Sequence, residues 1–192
     1  DAKSSLRILR AALGTGLGVK IHADEFSNSG GAAIANKTRA VSADHLVYSP
    51  TSELEKMRET GVTPVLLPAL SHSLLMTQYA RAREMLSMGL PVALGTDFSP
   101  ANWVLGQLTS AALAARELRM RAEEIIRGIT INAARALGLD NRIGAIAPGK
   151  AADINILRAP SHKRIGYAYP GGLVDKVLIG GRVVVAGGKR VP

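Results

Sequence analysis

The sequence predicts an α/β fold: half of an eight-stranded, TIM-type (β/α)8 barrel over residues 1–141, then a small β-sandwich-like segment over 142–192. Three observations predict it. Short apolar strands alternate with helix-length segments as far as Leu137, the pattern of right-handed βαβ crossovers and a parallel sheet. Polar residues stand where those strands run out: His22 and Glu25 after Val19-Lys20-Ile21, His45 within Ser42-Ala43-Asp44-His45-Leu46-Val47, and Asp97 at the end of Pro91-Val92-Ala93-Leu94-Gly95-Thr96-Asp97. Beyond Asn141 the chain turns to Gly and β-branched residues, the composition of antiparallel hairpins.

Taken in order, residues 1–13 place Leu6, Ile8, Leu9 and Leu13 at helical spacing, and Gly14, Gly16 and Gly18 end that helix before a strand over 19–23. These glycines precede a strand instead of joining strand to helix, which excludes a phosphate loop. A loop at Ser29-Gly30-Gly31 leads into a short helix over 32–39 and a second strand over 41–47. Ser49-Pro50-Thr51-Ser52 turns into a helix over 52–60, with Glu53 and Glu55 near its positive end and Gly61 as its stop. A third strand, Thr63-Pro64-Val65-Leu66-Leu67, is stopped by Pro68. A helix over 78–88 and the strand opened by Pro91 follow, then a loop over 95–100 and helices over 103–118, 121–129 and 131–137. In the last segment the strands are 152–157, 174–179 and 182–185, with Gly180-Gly181 as a hairpin turn.

Bulk properties exclude several classes. The 192 residues are 47% apolar and 20% charged, an ordinary globular composition with enough chain for a real core. Cysteine is absent, so neither a disulfide framework nor a thiolate metal site is possible, in keeping with a reducing cytoplasm. No segment reaches the roughly 18 uninterrupted apolar residues of a membrane span. The net charge of +9 is spread singly along helices, and aromatics make up only 4%, too few for stacking platforms, so no nucleic-acid partner is expected. A positive field suits an anionic small-molecule substrate instead. The opening Asp1-Ala2-Lys3 has neither an initiator Met nor a signal-peptide pattern and reads as part of a longer protein.

Each polar residue alone has a plain structural explanation. His22 is a hydrogen-bonded strand-end histidine or an imidazole metal ligand, Glu25 a surface carboxylate or a proton shuttle, and Asp97 a helix cap or a metal-binding base. His45 falls one βα unit after His22, hence on the neighbouring strand, where a neutral imidazole can polarise a carbonyl or relay a proton. Together, on the ends of the first, second and fourth strands, the set points to a catalytic mouth. Alternation turns Lys20, His22 and Asp24 to one side, toward the barrel interior or its mouth. His72, after the third strand, is a candidate for the same mouth; His162 reads as a surface residue and Trp103 as helix packing.

Val19-Lys20-Ile21-His22-Ala23-Asp24-Glu25-Phe26, Ser42-Ala43-Asp44-His45-Leu46, Val65-Leu66-Leu67-Pro68 and Val92-Ala93-Leu94-Gly95-Thr96-Asp97-Phe98 together resemble the imidazolonepropionases, the histidine-degradation family of the amidohydrolase superfamily. Thr130-Ile131-Asn132-Ala133-Ala134-Arg135-Ala136-Leu137-Gly138-Leu139 and Gly144 through Asp153 resemble the C-terminal signature of that superfamily. The resemblance covers nearly the whole chain but only the C-terminal half of such an enzyme. It implies that His22 and Asp97 are ligands of one divalent zinc or iron ion, with Asp97 also the base toward the attacking water. It implies that Glu25 and His45 engage the substrate ring and assist proton transfer, in the opening of 4-imidazolone-5-propanoate to N-formimino-L-glutamate.

The sequence departs from the family where Asn usually follows Gly95-Thr96-Asp97-Phe98; here Ser99 stands, and it and His72 are the further candidates for substrate contact. Ala69-Leu70-Ser71-His72-Ser73 replaces the usual segment after Pro68, so another cyclic amide or amidine stays open as substrate. The family also takes a His-x-His pair from its first strand, and the histidines at 22, 45, 72 and 162 contain none, so two further ligands are expected outside this chain. The expected partner is the missing N-terminal barrel half. Unpaired strand edges favour a homodimer, and a non-catalytic, self-associating fragment is the competing reading.

Overall fold

The computed structural model describes residues 1–169 and 171–191, which leaves Pro170 and the last residue of the expected β module, Pro192, outside the described residues. Four short strands, β1 (Lys20–Ala23), β2 (Ser42–His45), β3 (Thr63–Leu66) and β4 (Ala93–Leu94), form one parallel sheet in chain order. Helices α1 (Ala2–Gly14), α2 (Gly31–Thr38), α3 (Thr51–Thr60), α4 (Pro68–Ser73), α5 (Ala82–Ser87), α6 (Gln107–Arg116), α7 (Ala122–Ile129) and α8 (Ile131–Ala136) surround or follow it. Sequential parallel order with a helix in each crossover is the construction of half a (β/α)8 barrel. A second sheet, antiparallel and in chain order, holds β5 (Ile154–Leu157), β6 (Val174–Ile179), β7 (Arg182–Ala186) and β8 (Lys189–Arg190). It is a single layer, joined at its centre by the Gly180-Gly181 turn, whose φ angles of 55° and 81° suit a tight hairpin.

The core lies between the parallel sheet and its helices. Leu46, Leu66 and Leu94 from the sheet side meet Leu54 and Met57 of α3, Met85 of α5 and Ile125 of α7, all fully buried. Small residues govern the closest approach: Ala23 and Ala43 face Ala32 and Ala35 of α2 with no exposed surface. Gly31 opens α2 so near β1 that a Cβ there would stand 2.6 Å from the Ala23 Cα.

Two expectations need correction, and one helix was not expected. The segment after Pro68 is the helix α4; Pro at the first helical position carries no penalty, because its missing N–H is unpaired there anyway. The helix expected over 78–88 is only α5, because residues before it are drawn over the end of β2: Gln78 Nε2 donates to the Val47 carbonyl at 3.3 Å and the Arg81 guanidinium to that of Ser49. The helix expected from 103 begins at Gln107, so Trp103 packs no helix; it is 75% exposed and its ring lies 4.9 Å from that of Phe98.

The two edges of the parallel sheet differ. The carbonyls of Val92, Leu94 and Thr96 alternate along the chain and so share one edge, opposite to that from which the Gly95 N–H donates to Leu66 O. All three accept from side-chain amides: Asn132 at 2.9 Å, Gln107 at 2.6 Å and Asn102 at 2.6 Å. Among the described residues β1 has a strand neighbour only in β2. Both edges therefore lack a second strand neighbour among the described residues, but at β4 the outward carbonyls accept from side-chain amides.

Asp24 holds the mouth end of this sheet to α2. It is 2% exposed, and its Oδ1 accepts from the Ser29 N–H at 3.0 Å and the Gly31 N–H at 2.9 Å. Its Oδ2 accepts from the Ala32 N–H at 3.1 Å and Ser49 Oγ at 2.7 Å. The carboxylate thus caps a helix whose own N-cap, Gly30, has no side chain to offer. Burial opposes ionisation of Asp24, but the bonds from Ser49, Gly31, Ala32 and Ser29 outweigh it and hold the carboxyl below its ordinary value.

Two stability measurements check this account. Gly31→Ala should lower the urea midpoint with an unchanged m-value, a loss of about 1–3 kcal/mol from overpacking against β1. Asp24→Asn should lose about 2–3 kcal/mol near neutral pH, because an amide cannot accept at both oxygens. Since the folded pKa is the lower one, the wild-type advantage is present above the ordinary value of 3.8 and is lost as pH falls through the folded value. A gap between wild type and Asp24→Asn that persists at the lowest pH would refute the charge-based account.

Candidate functional site

Register makes the position of His45 a problem that the backbone solves. His22 pairs with Asp44 and Ala23 with His45, so strand alternation would send His45 to the face opposite His22. His45 instead adopts a left-handed φ of 75°, followed by Leu46 at 59°, and its ring swings across to His22. The His45 Nε2 and His22 Nδ1 atoms are 3.0 Å apart and share a hydrogen bond, with ring centroids 4.9 Å apart. The turn is fixed from behind, where the Leu46 N–H donates to Ala23 O and the Tyr48 N–H to Asp24 O, both at 2.9 Å.

Glu25 and Asp97 complete the cluster. The Glu25 carboxylate lies 3.7 Å and the Asp97 carboxylate 4.0 Å from His45 Nε2. Asp24 and Asp97 are left-handed as well, with φ of 51° and 52°, so each of these strand ends carries a residue in a conformation that L side chains disfavour. The expected common side of Lys20, His22 and Asp24 therefore fails at Asp24, which turns away into its buried hydrogen bonds. Asp97 caps no helix, since the residue preceding α6 is Gly106.

Burial pushes His45 down from the ordinary histidine value, and the neighbouring His22 adds to this against the opposing pull of Asp97 and Asp44. Its imidazole is accordingly neutral near pH 7. Glu25 is raised, first by desolvation and then by the nearby Asp97 carboxylate, with His22 opposing. The donor atoms of His22, Glu25 and His45 lie within 4.8 Å of one another. Imidazole nitrogens and a carboxylate oxygen, with the Asp97 carboxylate beside them, form a donor set suited to a borderline divalent ion such as zinc or ferrous iron.

Ser99 sits on the turn after Asp97, half-buried, its backbone paired with Asn102. His72 is exposed on α4, and no contact joins it to the cluster among the described residues. His162 is on the surface as expected, in a single 3-10 turn (His162–Arg164), with Nε2 2.8 Å from Glu123. Sequence reading missed Asp24 and Asn102 as builders of the site. Asp24 had a visible signal, an acid followed closely by Ser29-Gly30-Gly31 at a helix start. Asn102 had none beyond its place after Pro100.

Comparison with known proteins accords with the fold. Residues 8–184 match the Amidohydrolase family. An imidazolonepropionase of Symbiobacterium thermophilum is 41% identical over 186 residues, covering 96% of this chain and 44% of its own length. That of Bacillus velezensis is 43% identical over 183 residues, covering 95% and 44%. Among solved structures, an adenosine deaminase from Xanthomonas campestris with bound zinc aligns with 100% of this chain and 50% of its own, at a TM-score of 0.82 and 21% identity. A 5-methylcytosine deaminase from Klebsiella pneumoniae aligns with 100% and 53%, at a TM-score of 0.78 and 18% identity. The two structures share the fold. The chain spans less than half the length of the curated relatives it matches, as half a barrel would, and it belongs to the Amidohydrolase family.

Proposed function

We propose that this chain supplies one half of an imidazolonepropionase site, where water opens 4-imidazolone-5-propanoate to N-formimino-L-glutamate in histidine degradation. The observation that carries this reading is the convergence of His22, Glu25, His45 and Asp97 at the ends of β1, β2 and β4, with His45 Nε2 within 4.0 Å of the other three. In this reading residues 1–141 are the barrel part and 142–192 the β module. The setting is cytoplasmic, and the rest of the barrel closes the sheet between its β4 and β1 edges; without it the chain pairs with a second copy of itself.

His22 and Asp97 are assigned as two protein ligands of a zinc or iron ion, with two more expected from the remainder of the barrel. The chemistry a bound divalent ion supplies is acidity, so that a neighbouring water loses a proton near neutral pH. The Asp97 carboxylate accepts that proton and returns it to the departing ring nitrogen as the ring C–N bond breaks. His45, neutral and nearly enclosed, donates a hydrogen bond to the carbonyl oxygen as negative charge develops on it. Glu25, whose raised pKa lets it keep a proton longer, serves a ring nitrogen of the substrate. Ser99 and His72 are assigned to substrate contact, one on the turn after Asp97 and the other on α4.

The test uses the full-length protein and follows imidazolone consumption and N-formimino-L-glutamate formation. His45→Asn is expected to lower kcat about 100-fold or more. The isolated 192-residue chain is expected to show no turnover. Full-length protein that releases ammonia from a different cyclic amidine, and leaves imidazolones intact, would replace this reading with a deaminase-type amidohydrolase. Turnover by the isolated chain would overturn the assignment of the remaining ligands.

A further inference from the structure

The turn that follows Asp97 closes on itself. Ser99 and Asn102 exchange both backbone hydrogen bonds, Ser99 N–H to Asn102 O at 3.0 Å and Asn102 N–H to Ser99 O at 2.9 Å, around Pro100 and Ala101. The Asn102 side chain folds back beneath this turn and is only 1% exposed. Its Nδ2 donates to Thr96 O at 2.6 Å and to Asp97 O at 3.1 Å. Its Oδ1 accepts from Ser73 Oγ of α4 at 3.0 Å. The amide orientation follows from the partners, since two backbone carbonyls can only accept.

These contacts place the amide behind the residue that most needs support. Asp97 is left-handed, and no glycine or strand neighbour enforces that conformation. Asn102 holds the carbonyls on either side of the Asp97 φ rotation and ties both to the end of α4. A shorter side chain cannot reach both carbonyls. A carboxylate of the same shape has no proton for either and would set oxygen against oxygen. The other two amides on this edge, Gln107 and Asn132, hold Leu94 and Val92 and leave Asp97 untouched.

We infer that Asn102 is a positioning residue: its buried amide fixes the backbone of Asp97 so that the carboxylate faces His45 Nε2 across 4.0 Å, and so sets how tightly the site holds a divalent ion. This rests on the reading of Asp97 as a ligand. Polar groups behind a ligand commonly tune metal affinity about 10- to 100-fold.

The experiment uses the full-length protein with Co²⁺ as probe, reading affinity by chelator competition, the visible absorption of the bound ion, the melting temperature, and kcat and KM separately. Asn102→Asp is expected to weaken Co²⁺ about 10- to 100-fold, alter the visible bands, and lower kcat with little change in KM. Ser73→Ala removes only the bond to Oδ1, keeps both Nδ2 bonds, and should weaken Co²⁺ much less than Asn102→Asp does. Thr60→Ala, which loses a comparable bond to Asn36 far from the mouth, should lower the melting temperature alone. Should Asn102→Asp not fold, Asn102→Ala is read in the same way. An Asn102 variant that melts lower yet binds Co²⁺ and turns over like the wild type would reduce Asn102 to a structural role and overturn the inference. Wild-type protein that holds Co²⁺ but ignores imidazolones removes the substrate assignment and leaves this inference standing; protein that holds no Co²⁺ removes both.

Discussion

The geometry of the mouth depends on one buried carboxylate. Asp24, His45, Leu46 and Asp97 all occupy left-handed backbone conformations, each disfavoured by roughly 1–2 kcal/mol for a residue with a Cβ. Asp24 joins most of the segments that keep them there. Its oxygens take up the first free N–H groups of α2 and the Ser49 hydroxyl beyond β2, while its own carbonyl receives the Tyr48 N–H. The segments after β1 and β2 are thereby locked to each other. That lock lets His22 and His45 meet although strand register assigns them to opposite faces.

The uneven edges of the sheet extend this argument to the whole half barrel. At β4 the outward carbonyls are satisfied by side-chain amides from the chain that follows, so Asp97 needs no further strand to be held in place. At β1 the ladder stops with no such cover. An unpaired edge is a template for another strand. The described half can therefore be internally ordered at its Asp97 end while its β1 edge stays unpaired.

Much of the fold was legible because it follows from period and punctuation. The parallel strands and their order came from short apolar runs alternating with helix-length segments, and the Gly180-Gly181 hairpin from β-branched runs on either side of a turn signal. The shortfalls came where tertiary hydrogen bonds override local pattern. Arg81 and Gln78 pull their segment out of the helix, and the Asn102 turn delays α6 to Gln107 and leaves Trp103 in solvent. At the site, strand-end position correctly grouped His22, Glu25, His45 and Asp97. The sequence could not show why they meet, because alternation alone puts His45 on the wrong face, and only a left-handed turn reverses it. Asn102 stayed hidden for the same reason: its partners are backbone carbonyls, which every residue carries.

Asp24 and Glu25 show how the same structure separates two like groups. They are adjacent carboxylates, and their protonation shifts in opposite directions. Both lose solvation, which favours the neutral acid in each. Asp24 receives N–H and O–H donors at both oxygens, so its charge is compensated and its carboxyl stays ionised. Glu25 receives no such donors among the described contacts and faces the Asp97 carboxylate, so its charge meets repulsion. The left-handed turn at Asp24 is what divides them, sending one side chain inward to the donors and leaving the next at the mouth. An anchor charged near neutral pH and a carboxyl more ready to hold a proton thus arise at consecutive positions, one to keep the geometry of the mouth and one to exchange protons with what binds there.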